Sequence, residues 1–299
     1  MPETATSRLA DGVRYLRAGS LDRACACFEE AAERAQDARI RSEALRRLAD
    51  VKRRRAEWGE ALRLSDLAFQ VAIEQGLNEE AAAALNIEAT THLQRGDFDR
   101  AVELYRRALA TGPDAHQRGL ICQNLGTAHA QHGAHGEAAE WYAQSSTAFR
   151  VAGRLREEML ALVNQGNVLL DQGEFSSAEA RFREASERID DISGHDAELR
   201  GLIDMNLAEA LGRQSIQLDL AMHLIHGATG HFAAAANLPY LVACHRVVAL
   251  ISEARGELDT AIGALERGRA LAEEIESGPE IAYFQRETSR LLSENPERT

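Results

Sequence analysis

Three histidines, His129, His132 and His135, stand three residues apart, and closely spaced imidazoles can act as ligands of a metal ion. Gly133 lies between the second and third of them, and we expect a helix to end there, so the three rings would not converge on one ion. A second, looser group of histidines is discounted in the same way and consists of His223, His226 and His231. The chain has no phosphate-binding, dinucleotide-binding, zinc-protease or nucleophile-elbow motif. We therefore expect no metal, no cofactor and no catalytic site.

Asparagines recur along the chain at intervals that are longer than one helix. Asn124, Asn164 and Asn206 lie 40 and 42 residues apart, and each stands two residues before a glycine or an alanine. Asn86 lies one residue out of that register. A carboxamide offers a donor and an acceptor together, so it can bond a peptide group without reading its side chain. Such a column predicts a groove that binds an extended peptide, unless each asparagine instead bonds a neighbouring helix or loop.

Further polar residues lie one or more helical turns from these asparagines. They would line the same surface and are Gln123, Thr127, Gln131, Asn167, Glu209 and Arg213.

A basic segment offers a contrasting surface near the start of the chain. It contains Arg46, Arg47, Lys52, Arg53, Arg54 and Arg55, with Asp50 as the one acid among them. Guanidinium groups bind carboxylates in pairs of hydrogen bonds, so Arg46, Arg53 and Arg54 could form a basic docking strip for an acidic partner. Alternatively the segment is a solvated face that pairs with nearby acids such as Glu57 and Glu60.

A short pattern recurs along the chain and indicates which elements must position these residues. It consists of a glycine, a bulky residue two positions later and an alanine three positions after that. The complete copies begin at Gly19, Gly96, Gly133, Gly173 and Gly256. Ala56 and Ile216 replace the glycine in two imperfect copies that fill the gaps. The alanines then fall 37 to 43 residues apart, which is the length of a repeated structural unit.

Each position of the pattern has a physical reason in a pair of antiparallel helices. Glycine accepts the left-handed conformation that closes a helix, the bulky residue fills the corner, and alanine lets the second helix approach the first. Another small residue opens the packing face of each first helix. We call these positions the small-residue column: Gly12, Ala49, Ala89, Gly126, Gly166, Ala208 and Ala249.

These columns predict an all-α fold with one helical hairpin in each repeat. The predicted hairpins span residues 5–38, 39–77, 78–113, 114–153, 154–194, 195–238 and 239–277, and a capping helix follows at 280–294. The segment 190–196, which contains Ser193 and Gly194, is the longest predicted loop.

The columns of small, aromatic, glycine and alanine residues resemble those of the tetratricopeptide repeat family, in a variant with long repeats. The resemblance covers residues 5–270 and implies a single right-handed α-solenoid whose first helices line the concave face. It also implies that asparagines in this column hold an extended peptide by its backbone. In this alignment His129 and His135 fall in packing positions.

Composition narrows the classes of function that remain. The net charge of −13 disfavours nucleic-acid binding, because an acidic chain repels phosphate backbones. No apolar stretch is long enough to span a membrane, the first residues lack the features of a signal peptide, and the four cysteines show no CxxC spacing. We therefore expect a cytoplasmic, bacterial, non-enzymatic scaffold or adaptor that binds a segment of another protein. Self-association is possible but not indicated. The alternative is a ligand- or peptide-sensing regulatory module that acts on a separate output protein.

Overall fold

The computed structural model describes residues 4–192 and 196–294, and within them the chain is almost entirely helical. These residues form fifteen α-helices and one short 3-10 helix, Ile189–Asp191, without a β-strand. Ser193 and Gly194 of the predicted loop lie outside the described residues. None of the described helices combines the length and hydrophobicity that a membrane crossing requires.

The first eight helices alternate with short corners. They are α1 (Ala5–Arg17), α2 (Leu21–Arg34), α3 (Ala38–Arg54), α4 (Trp58–Glu74), α5 (Asn78–Gln94), α6 (Phe98–Ala110), α7 (Ala115–Gln131) and α8 (His135–Val151). The remaining seven continue the alternation. They are α9 (Leu155–Asp171), α10 (Phe175–Arg188), α11 (Ala197–Gln214), α12 (Leu218–Ala234), α13 (Leu238–Ala254), α14 (Leu258–Glu274) and α15 (Gly278–Glu294).

Each odd-numbered helix up to α13 packs against the even-numbered helix that follows it, and α15 packs on α14. The described residues therefore confirm the predicted all-α fold of seven hairpins with a terminal helix. The terminal helix begins at Gly278, two residues earlier than predicted.

The helices fall into two compact units that divide between Arg154 and Leu155. The first unit contains four hairpins, and the second contains three hairpins and α15. The arrangement of all the hairpins in one right-handed solenoid stays a prediction.

The corners explain why glycine recurs in the sequence. Gly96 has φ +82°, and the amide of the following Asp97 donates to the carbonyl of His92 at 2.9 Å, which closes α5. Ala56 takes the same conformation with φ +57°, although an alanine is strained there. In the sixth hairpin the left-handed conformation falls on Ser215 and Gln217, on either side of Ile216, and not on Ile216 itself as the pattern predicted.

Close contact between the two helices of a hairpin explains the small-residue column. A Cβ atom added to Gly126 would lie 2.8 Å from the ring of Tyr142, and one added to Gly166 would lie 2.3 Å from the ring of Phe182. Both rings are buried, so each packs directly on the backbone of the first helix. This contact fixes how each first helix is rotated and therefore which of its side chains face away from the hairpin core.

Candidate functional site

The first helices of adjacent hairpins pack against one another, with α3 on α5 and α5 on α7 in the first unit. Three positions of each first helix follow one another at intervals of four and therefore share a face. On each helix these positions are counted from its own member of the small-residue column: three residues before it, one residue after it and five residues after it. We call this surface the first-helix face. In the first unit it contains Arg46, Asp50 and Arg54 of α3, Asn86, Thr90 and Gln94 of α5, and Gln123, Thr127 and Gln131 of α7.

Two of the predicted asparagines meet at this face, to which Asn86 belongs and beside which Asn124 lies, next to Gln123. Nδ2 of Asn124 on α7 donates to Oδ1 of Asn86 on α5 at 2.9 Å, and both side chains are half-buried. The contact forms although Asn86 lies one residue out of the register of Asn124. The bond leaves each carboxamide with further donor or acceptor capacity.

The hydroxyl groups of the first-helix face are bonded inside their own hairpins. Thr90 Oγ1 lies 3.0 Å from the hydroxyl of Tyr105, and Thr127 Oγ1 lies 3.1 Å from that of Tyr142. Burial raises the pKa of Tyr105 to about 12. Thr127 also donates to the carbonyl of Gln123, so its hydroxyl supports the hairpin. The side chain of Gln123 is half-buried, and that of Gln131 is exposed at the end of α7.

Carboxylates and an amide of the same unit contact the basic docking strip. Arg53 donates to Asp50 at 2.5 Å and to the side chain of Gln94 on α5 at 2.9 Å. Arg54 donates to the other oxygen of Asp50 at 2.9 Å. The nearest carboxylate to Arg46 is that of Glu43, at 3.9 Å, and burial lowers the pKa of Arg46 to about 10. These pairs reduce the free positive charge that the strip can offer, and its docking role stays a prediction.

The basic residues beside the strip are also paired. Lys52 bonds Glu57 at 2.9 Å, whereas Glu60 pairs with Arg63 on its own helix. Arg55 bonds Asp22 of the first hairpin.

The second unit holds the other predicted asparagines in different surroundings. Asn164 and Asn167 are half-buried on α9. Asn206 on α11 is 5% exposed, and its Nδ2 has no hydrogen-bond partner. The position on α9 that corresponds to Asn86 is Val163, which is buried and offers no side-chain acceptor. Asn206 therefore has no asparagine at that position of α9 to bond, and the pairing of Asn86 with Asn124 is not repeated between α9 and α11.

The first-helix face of the second unit forms a cavity of about 230 Å³ between α11, α13 and α15. Glu209 and Arg213, both predicted to line the groove, lie in its wall. The complete lining is Met205, Glu209, Arg213, Ala243, Arg246, Val247, Ala249, Leu250, Glu253, Leu265, Tyr283, Glu287, Arg290 and Leu291. Met205, Arg246 and Leu250 occupy the same repeat positions as the polar residues of the first unit. The same columns therefore form the candidate site in both units.

Ion pairs hold the charged side chains of the cavity wall. Arg213 bonds Glu209 at 3.0 Å on α11. Arg290 on α15 bonds Glu253 of α13 at 2.7 Å and Glu287 at 2.9 Å. These bonds tie the terminal helix to α13 and fix one side of the cavity.

Arg246 lies between two residues of α15. Its guanidinium carbon is 4.5 Å from the centre of the Tyr283 ring, and it donates to Glu280 at 3.3 Å. Arg246 is therefore held in place by the terminal helix.

Comparison with known proteins agrees with the repeat pattern. The family model for the tetratricopeptide repeat matches residues 40–113, which form the second and third hairpins. Residues 40–113 are therefore tetratricopeptide repeats, and the remaining hairpins share their fold. No curated protein matches it.

Solved structures of such repeats are similar to this one in fold. Aspartyl phosphate phosphatase F from Bacillus subtilis is 15% identical with a TM-score of 0.63, covering 100% of this chain and 82% of that one. The apo form of RapI is 15% identical with a TM-score of 0.62, and the match covers 92% of this chain and 99% of RapI. A signal transduction ATPase with a tetratricopeptide repeat sensor from Pyrococcus horikoshii is 13% identical with a TM-score of 0.65. The match covers 94% of this chain and 44% of the ATPase.

Histidines in these repeats pack against aromatic rings. His129 is buried and meets the ring of Phe98 edge-on at 5.4 Å, while His132 stacks on the same ring at 4.1 Å. Burial lowers the pKa of His129, and neither of its ring nitrogens has a hydrogen-bond partner. Within the part of the chain that the structure describes, no three His, Cys, Asp or Glu residues are grouped so that they could hold a metal ion.

Sequence reasoning missed much of the cavity wall in the second unit. The missed residues are Arg246, Glu253, Tyr283, Glu287 and Arg290. Arg246 carried a usable signal, because it stands three residues before Ala249 as Asn86 stands before Ala89. The residues of α15 carried none, because that helix was assigned only the role of covering the last hairpin.

Proposed function

We propose that this protein is a non-enzymatic scaffold that binds an extended segment of another protein along its first-helix face. Tetratricopeptide repeats are protein–protein interaction modules. The bond between Asn124 and Asn86 is the contact with a neighbouring helix that the sequence allowed as the alternative. The finer proposal is therefore carried by the donor and acceptor capacity that both half-buried carboxamides keep beyond this one bond.

The chemistry of this surface favours recognition of a peptide backbone. Asn86, Asn124, Gln94 and Gln123 present amides from α5 and α7, and amides supply both partners that a peptide group needs. Each bond between such an amide and the ligand would contribute about 0.5–1.5 kcal/mol, because it replaces a bond to water. Several of them in sequence would bind an extended segment with little dependence on its side chains.

The test requires the natural partner, which affinity purification from the native host would supply. The variant combines Asn86→Ala and Asn124→Ala, and isothermal titration with the purified partner measures its affinity. We expect at least a tenfold loss of affinity, which corresponds to about 1.4 kcal/mol. The matched control combines Gln70→Ala and Gln144→Ala, which removes two exposed amides from second helices. Equal affinity for the variant and the control, with helicity preserved in both, would overturn the proposal.

A second candidate function is a sensor that acts on a separate output protein. The cavity of the second unit favours it, because a concave site of about 230 Å³ can hold part of a short ligand. One structure similar in fold, at 14% identity and a TM-score of 0.57, is titled as a Rap protein complexed with competence and sporulation factor. A sensor requires that the ligand change the affinity for the output protein. Measuring partner affinity with and without an added short peptide therefore separates the two functions.

A further inference from the structure

We propose that the cavity between α11, α13 and α15 binds a free α-amino acid by its two charged groups. The ligand carboxylate pairs with arginines of the cavity wall, and the ligand ammonium group pairs with glutamates. This inference rests on the second candidate function, because it names the class of small molecule that such a sensor would take. It does not depend on the asparagines of the first unit.

The cavity wall carries charges of both signs in equal number. Each of the three helices contributes one arginine and one glutamate to it. The pairs on α11 and α13 are Glu209 with Arg213, and Arg246 with Glu253. Between 26% and 45% of each of these four side chains is exposed, so a ligand can reach them. This balance favours a ligand that has both charges, because a ligand with one charge would leave an excess of that charge in the cavity.

The arginines of α11 and α13 keep hydrogen-bond donors for a ligand carboxylate. Arg213 donates from Nε and Nη2 to one oxygen of Glu209, at 3.3 Å and 3.0 Å. Arg246 donates from Nη1 to Glu280 at 3.3 Å. A guanidinium group has more N–H donors than these bonds use. Since guanidinium groups bind carboxylates in pairs of hydrogen bonds, we assign the ligand carboxylate to Arg213 and Arg246.

The glutamates of the same two helices keep acceptors for a ligand ammonium group. Arg213 bonds Oε1 of Glu209, and Arg290 bonds Oε2 of Glu253 at 2.7 Å. A carboxylate has two oxygens with several lone pairs, so each glutamate can accept further bonds from an ammonium group. Both charged groups of an amino acid can therefore be bonded without displacing an ion pair of the wall.

The terminal helix positions the binding residues of α13. The guanidinium carbon of Arg246 lies 4.5 Å from the centre of the Tyr283 ring, and Glu253 accepts from Arg290. Arg290 also bonds Glu287 at 2.9 Å, so its guanidinium group joins α15 to α13. Long side chains that are held before binding lose less conformational entropy when the ligand arrives.

The size of the cavity and its apolar residues limit what the ligand can be. The volume of about 230 Å³ is below the roughly 300–1,000 Å³ of sites that enclose drug-sized ligands, and it suits a molecule as small as one amino acid. Met205, Val247 and Leu291 are at most 7% exposed, so they offer a ligand little apolar surface. Recognition therefore depends on the two charged groups of the ligand more than on its side chain.

The test titrates the full chain with free alanine, serine and leucine, and ligand-observed NMR measures the affinities. We expect all three amino acids to bind. Alaninamide lacks the carboxylate and N-acetylalanine lacks the ammonium group, so each should bind at least about tenfold more weakly than alanine. Alanylalanine carries the same two charges farther apart and should also bind more weakly.

A variant of α11 shows whether the cavity is the binding site. Arg213→Gln should weaken alanine binding by at least about tenfold and remove the difference between alanine and alaninamide. The matched control is Arg269→Gln on α14, which removes an arginine of similar exposure, 48% against 45%, that also pairs with a glutamate of its own helix. Both variants change the net charge equally, and the control should bind alanine as the wild type does. Circular dichroism confirms that both variants keep their helicity.

Several outcomes would overturn the inference. They are no binding of any free amino acid, equal affinity of Arg213→Gln and the control for alanine, and tighter binding of alanylalanine than of every free amino acid. The last result would assign the cavity to the ends of a short peptide.

The affinity for the natural partner separates this inference from the sensor function. Alanine that binds the cavity and leaves the partner affinity unchanged would support the inference and overturn the sensor. If no amino acid binds and a short peptide still changes the partner affinity, the sensor stands without the amino-acid site.

Discussion

At the scale of single residues, the asparagine column shows that one residue type serves different purposes in successive repeats. Asn124 is bonded to Asn86 across two helices, whereas Asn206 is buried with an unpaired amide nitrogen. A buried donor without a partner costs about 1–3 kcal/mol of stability. Asn206 therefore lowers the stability of the folded state as long as no bound segment or local movement supplies an acceptor for its Nδ2.

This difference gives a prediction for Asn206→Leu. Leucine has a similar size and needs no hydrogen bond, and the equivalent position of the third hairpin is the aliphatic Ile87. We expect the variant to raise the free energy of unfolding by about 1 kcal/mol, because the unpaired donor is removed. Urea denaturation measures the change.

The matched control is Asn124→Leu, which removes a formed hydrogen bond and leaves Asn86 without its partner. This variant should be destabilised. A loss of stability in Asn206→Leu comparable to that in Asn124→Leu would show that the Asn206 amide is satisfied in solution.

At the scale of secondary-structure elements, the close approach of two helices determines the small-residue column. The backbone of α9 at Gly166 contacts the ring of Phe182 on α10, and both lie in the core of the fifth hairpin. The sequence predicted this contact because any side chain at that position would push the helices apart.

Gly166→Ala tests the contact with the smallest possible change. The added carbon would lie 2.3 Å from the Phe182 ring, so the helices or the ring must move. We expect a loss of about 1–3 kcal/mol in the free energy of unfolding, as for other overpacked cores. Gly227→Ala in the middle of α12 is the control, since a Cβ atom there contacts nothing within 4 Å beyond its own helix backbone. It should raise stability by about 0.5–1 kcal/mol through helix propensity. Equal effects of the two substitutions would contradict the contact.

At the scale of the whole molecule, the sequence predicted the fold better than the site. The same backbone and packing constraints act on the corner glycines and the small-residue column of every hairpin. The pattern that predicts a hairpin therefore occurs several times in one chain. The cavity has no such redundancy. Arg246, Tyr283 and Arg290 each occur once in their setting, and only side-chain contacts between α13 and α15 bring them together.

The asparagines lie between these two cases. Their spacing placed them on the first helices, and the contact between Asn86 and Asn124 follows from that register. Their hydrogen-bond partners depend on which residue the neighbouring helix presents. Asn86 supplies an acceptor to Asn124, and Val163 occupies the corresponding position on α9. A ladder that continues from Asn124 to Asn164 stays a prediction.

The dependence of stability on pH is a property of the whole molecule, and two buried histidines contribute to it. Burial lowers the pKa of His129 in the first unit and of His245 in the second. Glu137 opposes the change at His129, while Arg106 and His132 add to it, and Arg267 adds to it at His245. In the unfolded chain both residues have the ordinary pKa of about 6.5. The unfolded state therefore binds more protons as the pH falls below that value, and stability must fall with it.

We accordingly expect the free energy of unfolding to decrease from pH 7.5 to pH 5.5, and to decrease less in the double variant His129→Leu with His245→Leu. Leucine occupies the same repeat positions elsewhere, as Leu169 for His129 and Leu45 for His245. Buried carboxyl groups act in the opposite direction, since burial raises the pKa of Asp204 and Glu88. Both proteins contain these groups, so the difference between the two urea-denaturation series isolates the histidines. Parallel stability curves for the two proteins would mean that both imidazoles are as accessible to protons in the folded state as in the unfolded chain.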